Sequence, residues 1–286
     1  MGKLKALPIV AEYWAPGEDC LEQIAQNVKG RLADGDFIVV SEKAISTAMG
    51  GVLDEASVEP GRAARLIAKY WMRWVWGYVL GRFCHFQGRL LFYLRTYPIE
   101  EGSRHKHVAL QHFGLLQALM FGSEGGMDGS NLAYSYMSMP LNSPSRVANQ
   151  IRRRIWLSLE KEVSVIIVDT DRTYSFRNLH FTPRPKSLRG IHSFGGFITY
   201  VLGNALRLGR HPTPIAMSGS EIPVEEALRI AKFANRVRGH GAGKTVWDMA
   251  ERFAVKLNGV TWEMLKRVKH RPIVIVRVSK SWDKIG

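Results

Sequence analysis

The stretch that decides the fold runs from Val163 to Asn178 and reads VSVIIVDTDRTYSFRN. Its first six residues form a short apolar run rich in β-branched side chains, which is typical of a buried strand. We expect this strand to end at Asp169-Thr170-Asp171, where side-chain oxygens would suit a hard divalent cation. The same three residues are also typical of an ordinary turn, and this stretch alone leaves both interpretations open.

The overall charge favours an anionic partner. The 286 residues include 40 Lys and Arg against 25 Asp and Glu, a formal net charge of +15. Nucleic acid, a membrane surface and a small phosphorylated or polycarboxylate substrate all fit that charge. The basic residues are spread along the chain, with Arg152–Arg154 as a run, so the sequence does not favour nucleic acid.

Cysteine usage and hydropathy indicate a cytoplasmic protein without a membrane partner. Cys20 and Cys84 lack the number and spacing of a disulfide framework or a zinc site. The start of the chain lacks the pattern of a secretory signal peptide. The most hydrophobic region, Tyr70–Leu80, is too short to span a bilayer and contains Arg73.

Strand and helix patterns follow one another without regular alternation. This order predicts an α+β fold with mixed sheets and packed helices, in one domain, 1–278, followed by a tail, 279–286. A helix is predicted over Arg104–Phe113 with Ser103 as its N-cap and a solvated first turn. Further strands are predicted at Leu4–Val10, Phe37–Val40, Leu115–Phe121 and Pro272–Val278. Further helices are predicted at Leu21–Val28, Arg62–Val79, Leu90–Tyr97, 144–159, Phe197–Leu208, 224–236, Val246–Phe253 and Thr261–Val268.

A first glycine-rich loop, Gly122–Asn131, follows the strand predicted at Leu115–Phe121. Four glycines in these ten residues would let the backbone approach a ligand closely. The loop carries Asp128 and Asn131, and the helix predicted after it leads back into the Val163 strand. We therefore expect Asp128 and Asp169 to meet at one metal ion.

A second glycine-rich loop, Arg238–Thr245, reads RGHGAGKT. It is not a Walker A loop, because Gly239 is one position too close to the Gly-Lys-Thr and a helix precedes it. Its glycines, Lys244 and the N-terminus of the next predicted helix, capped by Thr245, still favour an anion. A plain connection between two helices is the alternative.

Three stretches resemble the coenzyme F-420-0:L-glutamate ligase (γ-glutamyl ligase) family. They are DGDFIVVSEKAISTAMG at 34–50, GMDGSN at 126–131 and RRRIWLSLEKEVSVIIVDT at 152–170, with FANRVRGHGAG at 233–243 as a weaker match. The resemblance implies an enzyme that uses GTP, or ATP, with Mn or Mg to phosphorylate a carboxylate of a deazaflavin coenzyme precursor. It then joins L-glutamate to that carboxylate as an amide. The resemblance further implies a two-lobed homodimer.

The resemblance also assigns roles to individual residues. Asp128 and Asp169 are the expected catalytic carboxylates, and Arg177 would face the transferred phosphate. Metal ligands would be Asp128, Asp169 and Thr170, with His240 where the family has a carboxylate or an amide. Nucleotide contacts are expected from Glu42, Lys43, Asn131, Arg238, Gly239, Gly241, Gly243, Lys244 and Thr245.

Four departures from the family pattern keep other functions open, and one of them is that the Asp-Glu of the family before the second glycine-rich loop is not reproduced. A nitrogen ligand at His240 would favour Mn or Zn over Mg, and Thr47 stands where the family has a lysine. The tryptophan-rich segment 62–113 has no counterpart that aligns, and its tryptophans are expected in a core or subunit interface, or in a pocket. A ligase acting on a pterin or folate-like acceptor is one alternative. A non-catalytic nucleotide or nucleic-acid binder that retains the fold is the other.

Overall fold

The computed structural model describes residues 3–122 and 124–279. Its strands are β1 (Lys3–Ala11), β2 (Phe37–Ser41), β3 (Val52–Asp54), β4 (Tyr136–Ser138), β5 (Ser164–Phe176), β6 (Leu179–Thr182), β7 (His192–Ser193), β8 (Gly209–Ser218) and β9 (His270–Ser279). Seven of them form a central mixed sheet with strand order β1-β9-β2-β5-β6-β7, in which β8 also pairs with β5. β2–β5 and β6–β7 are parallel, and the other pairs of this sheet are antiparallel. The remaining strands, β3 and β4, form a separate small sheet.

Helices cover both faces of this sheet and build a second, mainly helical layer beside it. The α+β class with mixed sheets and packed helices is thereby confirmed. The helices are α1 (Cys20–Val28), α2 (Glu42–Ala48), α3 (Arg62–Leu66), α4 (Gly81–Phe83), α5 (Gly88–Arg95), α6 (Ile99–Phe113), α7 (Leu115–Ala118), α8 (Pro144–Leu159), α9 (Phe197–Ala205), α10 (Val224–Arg238), α11 (Val246–Phe253) and α12 (Trp262–Lys266).

β5 is the central strand because its apolar run is buried on both faces. Val165 and Ile167 pack into one cluster with α1 and α8. Ile166 and Val168 pack into a second cluster on the opposite face with α10. Apolar side chains at successive positions are what a strand covered on both sides requires, so the buried strand predicted over 163–168 is confirmed.

The sequence predicted that this strand would end at Asp169, and this prediction is wrong. β5 continues to Phe176, and its pairing with β8 shifts between Asp169 and Arg172. Asp169 lies opposite Thr213 and Arg172 opposite Pro212, so Thr170 and Asp171 form a bulge on β5. Such a bulge redirects side chains without ending the strand, and it turns Thr170 and Asp171 towards the cleft described below.

Two other predictions fail in the helical layer. The segment after Gly114 forms the short helix α7 and a turn, not a strand, and it packs into an apolar cluster instead of joining a sheet. Helix α6 begins at Ile99, so Ser103 lies inside it, is buried, and donates a hydrogen bond to Ile99 O. The turn that was predicted to start the helix, from Arg104, is not solvated, since Lys106 is fully buried.

The tryptophan-rich helix, residues 62–83, runs from α3 through a π-helical stretch, Ile67–Leu80, into α4. The indole N–H groups of Trp71 and Trp76 both donate to Leu119 O, at 2.8 Å. Trp76 is completely buried, which confirms a core role for it, whereas Trp74 is 62% exposed. One side of this helix therefore anchors the helical layer, and the other faces outward.

Two predicted segments fall wholly or partly outside the described residues. Of the tail, 279–286, only Ser279 is described, as the end of β9, and Ser123 of the first glycine-rich loop is not described. Among the residues that are described, no helix has the length and apolarity needed to cross a membrane.

The packing of β5 generates a stability prediction. Ile166 is completely buried at the centre of the sheet, so Ile166→Ala leaves a cavity and is expected to lower the free energy of unfolding by about 2–5 kcal/mol. Leu157→Ala on α8, where the side chain is 67% exposed, should change it by less than about 0.5 kcal/mol. Denaturant unfolding measures both, and equal losses would show that β5 is not the core strand.

Candidate active-site cleft

A cleft of about 900 Å³ lies between the α2 end of the sheet, the helical layer and the α10–α11 connection. Most of the nucleotide- and metal-binding residues predicted from the sequence line it. They are Lys43, Asp128, Asn131, Thr170, Arg238, Gly239, His240, Gly241, Gly243, Lys244 and Thr245. The fold therefore brings together residues that lie up to 202 positions apart (Lys43 and Thr245).

Lys43 fixes the first glycine-rich loop in the cleft wall. Its Nζ donates to Asp128 Oδ2 at 2.6 Å and to both Ser130 O and Ser130 Oγ at 2.7 Å. Asp128 Oδ1 accepts from Ser130 N at 2.7 Å, which closes the turn. Three acceptors satisfy the three donors of an ammonium, so the loop has one defined position relative to α2.

Asn131 joins the first glycine-rich loop to the second. Its Nδ2 donates to Gly243 O at 3.0 Å and to His240 O at 3.3 Å, and its Oδ1 accepts from Ala242 N at 2.5 Å. Gly241 has a φ of +59°, and a Cβ there would collide with Asn131 Oδ1. A glycine is therefore required at 241 for this contact to form.

In the second glycine-rich loop, basic side chains are better placed to attract an anion than the N–H groups at the start of α11. Thr245 caps α11 as predicted, but it does so in a capping box with Asp248. An acidic side chain in the first turn weakens the attraction of that helix end for an anion. Lys244 and Arg238 supply the positive charge instead. Burial lowers the pKa of Arg238 to about 10, so it stays protonated at neutral pH.

Asp169 lies behind the cleft wall and not in it. Its carboxylate is 6% exposed and pairs with Arg184, which is itself buried and lies 2.8 Å from Glu42 Oε2. Glu42 also accepts from Leu141 N at 3.0 Å. Asp171 Oδ2 also lies 3.9 Å from Arg184 Nη1. Three carboxylates thus surround one buried guanidinium, and of these Asp171 lines the cleft whereas Glu42 and Asp169 do not.

Asp128 and Asp169 are connected through ion pairs made by two adjacent residues at the start of α2. Lys43 holds Asp128, and the preceding residue, Glu42, meets the guanidinium that holds Asp169. Gly126 allows this arrangement, because a Cβ at that position would collide with Arg184. The two carboxylates occupy the same region, with one facing the cleft and the other facing the core.

Arg177 is not brought to the cleft. It occupies the turn between β5 and β6 with a φ of +51°, is exposed, and lies over its neighbour Phe176. The prediction that Arg177 faces a transferred phosphate is not supported by this position. The cause is the continuation of β5 beyond Asp169, which carries Arg177 to the far end of the strand.

The predicted metal ligands do not form a closed protein cage. Within 3–122 and 124–279, no three His, Cys, Asp or Glu side chains gather around one point. Asp128, Thr170 and His240 face the cleft, and partial burial with Lys244 and Arg238 nearby lowers the pKa of His240, which favours its neutral form. Mg²⁺ needs only one or two protein carboxylates when phosphates complete its shell, so these residues fit a cation that is shared with a nucleotide.

Sequence reasoning missed several cations of the cleft. Arg172 follows the β5 bulge and donates to Asn204 Oδ1 at 2.5 Å, and Arg210 lies on the adjacent strand β8. Arg271 enters from β9. Among the described residues, none of these three pairs with a carboxylate. Only the β5–β8 and β5–β2–β9 pairings bring them together, so no local sequence pattern could have revealed them.

A buried charge network, also missed, holds the start of the first loop against α6. His105 Nδ1 lies 2.8 Å from Glu55 Oε1, and its Nε2 lies 3.5 Å from Glu124 Oε1. Lys106 Nζ donates to the same Glu124 Oε1 at 2.6 Å. Burial alone would lower the pKa of His105, but Glu55 and Glu124 outweigh it and raise that pKa to about 10. His105 is therefore a permanent cation in this network near neutral pH.

Comparison with known sequences places this cleft in a family context. The sequence model of a family described as F420-0:Gamma-glutamyl ligase matches residues 8–277. An uncharacterized protein of Methanocaldococcus jannaschii is 33% identical over 98% of each chain. The coenzyme F420:L-glutamate ligase of Archaeoglobus fulgidus is 29% identical over 83% of this chain and 81% of its own length.

The raised pKa of His105 predicts how the free energy of unfolding depends on pH. The pKa of His105 is raised on folding from an ordinary value of 6.5 to about 10. Its contribution to stability is therefore complete below pH 6.5 and is lost as the pH rises towards 10. The free energy of unfolding should fall across this range more steeply for the native sequence than for His105→Gln. Parallel pH profiles for the two proteins would show that His105 is not charged in the folded state.

Proposed function

The chain belongs to the F420-0:gamma-glutamyl ligase family, and on that premise we propose that it joins L-glutamate to the carboxylate of a deazaflavin coenzyme such as F-420-0. The reaction would consume GTP, or ATP, and pass through an acyl phosphate. The observation that carries the proposal is the contact between the two glycine-rich loops, where Asn131 holds the 240–243 backbone beside Lys43 and Asp128. This contact creates a wall of main-chain and cationic groups suited to phosphates.

We assign the nucleotide phosphates to the Lys43 end of the cleft. Lys43, Arg238 and Lys244 line this end, and glycine backbone lies between them. Phosphoryl transfer asks the protein mainly to position the reactants and to balance negative charge. These residues can position the phosphates and balance their charge, and this reaction needs no nucleophilic side chain.

A divalent cation fits Asp128, with Thr170 and His240 as further donors on the cleft wall. A cation held by these residues would neutralise charge on the phosphate oxygens. Lys43, which lies 2.6 Å from Asp128, would contact the same phosphates. Asp169 supports this wall from behind through Arg184 and Glu42.

We assign the carboxylate substrates to the part of the cleft lined by Arg172 and Arg210, next to the phosphates. Two guanidinium groups without carboxylate partners in the described chain suit carboxylates and phosphodiesters. An acceptor carboxylate oxygen held there would attack the γ-phosphorus, and the bond to the nucleoside diphosphate would break. The glutamate amine would then attack the acyl carbon, expel phosphate and lose a proton. The products are an amide, a nucleoside diphosphate and phosphate.

Phosphate release tests the activity directly. We expect release from GTP or ATP only when a divalent cation, L-glutamate and the correct acceptor are all present. F-420-0 is the first acceptor, and a pterin or folate with a carboxylate arm is the matched alternative. Salt-dependent binding of RNA without turnover under any of these conditions would overturn the proposal in favour of a nucleic-acid binder.

Replacement of Asp128 should stop the chemistry. Asp128→Asn removes the carboxylate that faces the cleft and is expected to lower kcat by at least about a hundredfold. Asp34→Asn, an exposed residue outside the cleft, is the matched control and should retain full turnover. Unchanged kcat in Asp128→Asn, with folding verified by circular dichroism, would remove Asp128 from the mechanism.

Replacement of Asn131 should weaken nucleotide binding. Asn131→Ala removes three hydrogen bonds to the second loop, each worth about 0.5–1.5 kcal/mol. We expect the Kd for GTP, measured by calorimetry, to rise by about tenfold or more. An unchanged Kd would place the nucleotide elsewhere.

A further inference from the structure

The segment between Glu59 and Glu100 has an extreme charge pattern. Residues 60–99 contain no Asp or Glu and seven Lys or Arg residues: Arg62, Arg65, Lys69, Arg73, Arg82, Arg89 and Arg95. Four of these cations, Arg62, Arg65, Lys69 and Arg82, are exposed on the tryptophan-rich helix. This pattern is independent of the cleft chemistry proposed above.

Large apolar side chains form an exposed stripe on the same helix. Leu66, Tyr70, Trp74 and Tyr78 lie four residues apart and are 57%, 49%, 62% and 46% exposed. Trp74 stacks on Tyr78 at 5.5 Å between ring centroids. Val79 and Phe83 continue the exposed surface to the end of the helix. A stripe of this size on the outer side of a helix indicates a contact surface and not a core.

Cations lie directly against the aromatic rings of this stripe. Lys69 Nζ is 5.0 Å from the centre of the Tyr70 ring, and the Arg95 guanidinium is 4.6 Å from that of Tyr78. Trp, Tyr and Lys or Arg on one helix surface are the composition of helices that lie in the headgroup layer of a bilayer. There the rings sit at the interface while the cations meet lipid phosphates.

We propose that the tryptophan-rich helix, residues 62–83, docks on an anionic lipid surface, in contrast to the absence of a membrane partner expected from hydropathy. The exposed stripe would enter the headgroup layer, and Arg62, Arg65, Lys69 and Arg82 would contact the phosphates. The helix would lie along the surface, since none of the described helices can cross a bilayer. Charge complementarity selects this occupant, because every charged side chain between Glu59 and Glu100 is basic.

A second copy of the chain is a poorer match for the same surface. A symmetric contact between two tryptophan-rich helices would place their cations against one another, with no carboxylate on either helix to offset them. An anionic bilayer removes this repulsion and adds attraction for each cation. One Lys or Arg near such a surface strengthens binding by about fivefold.

Vesicle co-sedimentation tests the proposal with the full chain. Vesicles of phosphatidylcholine alone are compared with vesicles that also contain phosphatidylglycerol. We expect binding only to the anionic vesicles, and we expect it to weaken as salt rises from about 0.1 M to about 1 M. Equal binding to both vesicle types, or none to either, would overturn the proposal.

Paired variants identify the surface. Lys69→Glu/Arg82→Glu should reduce vesicle binding by at least about tenfold, and Tyr70→Ser/Trp74→Ser should reduce it by a similar factor. Arg146→Glu/Arg153→Glu on α8 makes the same change in net charge with two exposed residues, and Trp156→Ser/Leu157→Ser removes two exposed apolar side chains there. Both controls should bind vesicles as the native chain does, and an equal loss in them would overturn the proposal.

Sedimentation without lipid separates docking on lipid from self-association. We expect Tyr70→Ser/Trp74→Ser to leave the oligomeric state unchanged. Conversion of an oligomer to a smaller species by these substitutions would show that the stripe joins two copies of the chain, and it would overturn the lipid assignment.

Discussion

One ammonium group organises the candidate active site. Lys43 Nζ makes hydrogen bonds of 2.6–2.7 Å to Asp128 and to two oxygens of Ser130. A partly buried cation is stable only if its donors are satisfied, so the first glycine-rich loop cannot shift without leaving Lys43 unpaired. Lys43 itself is placed by the junction of β2 and α2, and β2 is placed by its parallel pairing with β5. The central strand thus determines the cleft wall through one side chain.

Around Lys43, acidic side chains lie in the core, and basic side chains without a carboxylate partner in the part of the chain that is described lie in the cleft, an arrangement that suits anionic substrates. Behind the wall, Arg184 forms ion pairs with both Glu42 and Asp169 in the core. In the cleft, Arg172, Arg210 and Arg271 have no carboxylate partner within the described ranges, and Lys244 adds a fourth cation without one. Several basic groups that face the cavity are therefore not neutralised by a carboxylate. Phosphates and carboxylates that enter this cavity would meet that positive charge.

The sequence predicts those features that depend on local patterns. Apolar runs identify β2, β5 and β9, and Thr245 marks the start of α11. The two glycine-rich loops are also recognised from composition, and the structure brings them into contact. These signals are local because strand burial, helix capping and glycine conformation act within a few residues.

Features that depend on distant partners could not be predicted. The bulge at Thr170-Asp171 depends on the register of β5 with β8. Because this register cannot be recognised in the local sequence, these polar residues were interpreted as the end of a strand. Lys106 seemed solvated, because its partner Glu124 lies on another segment. The sequence around Arg184 does not indicate that this residue is buried or that it pairs with Asp169 in the core. Each error arose where a long-range ion pair or strand pairing overrode a local preference.

A crystal structure with GDP and Mn²⁺ would show whether the Lys43 wall binds the nucleotide. We predict that the diphosphate lies between Lys43 and the 238–245 loop, with the cation on Asp128 and the Asn131 contacts to Ala242 and Gly243 retained. A diphosphate bound away from this wall, or a cation that does not touch Asp128, would contradict this prediction.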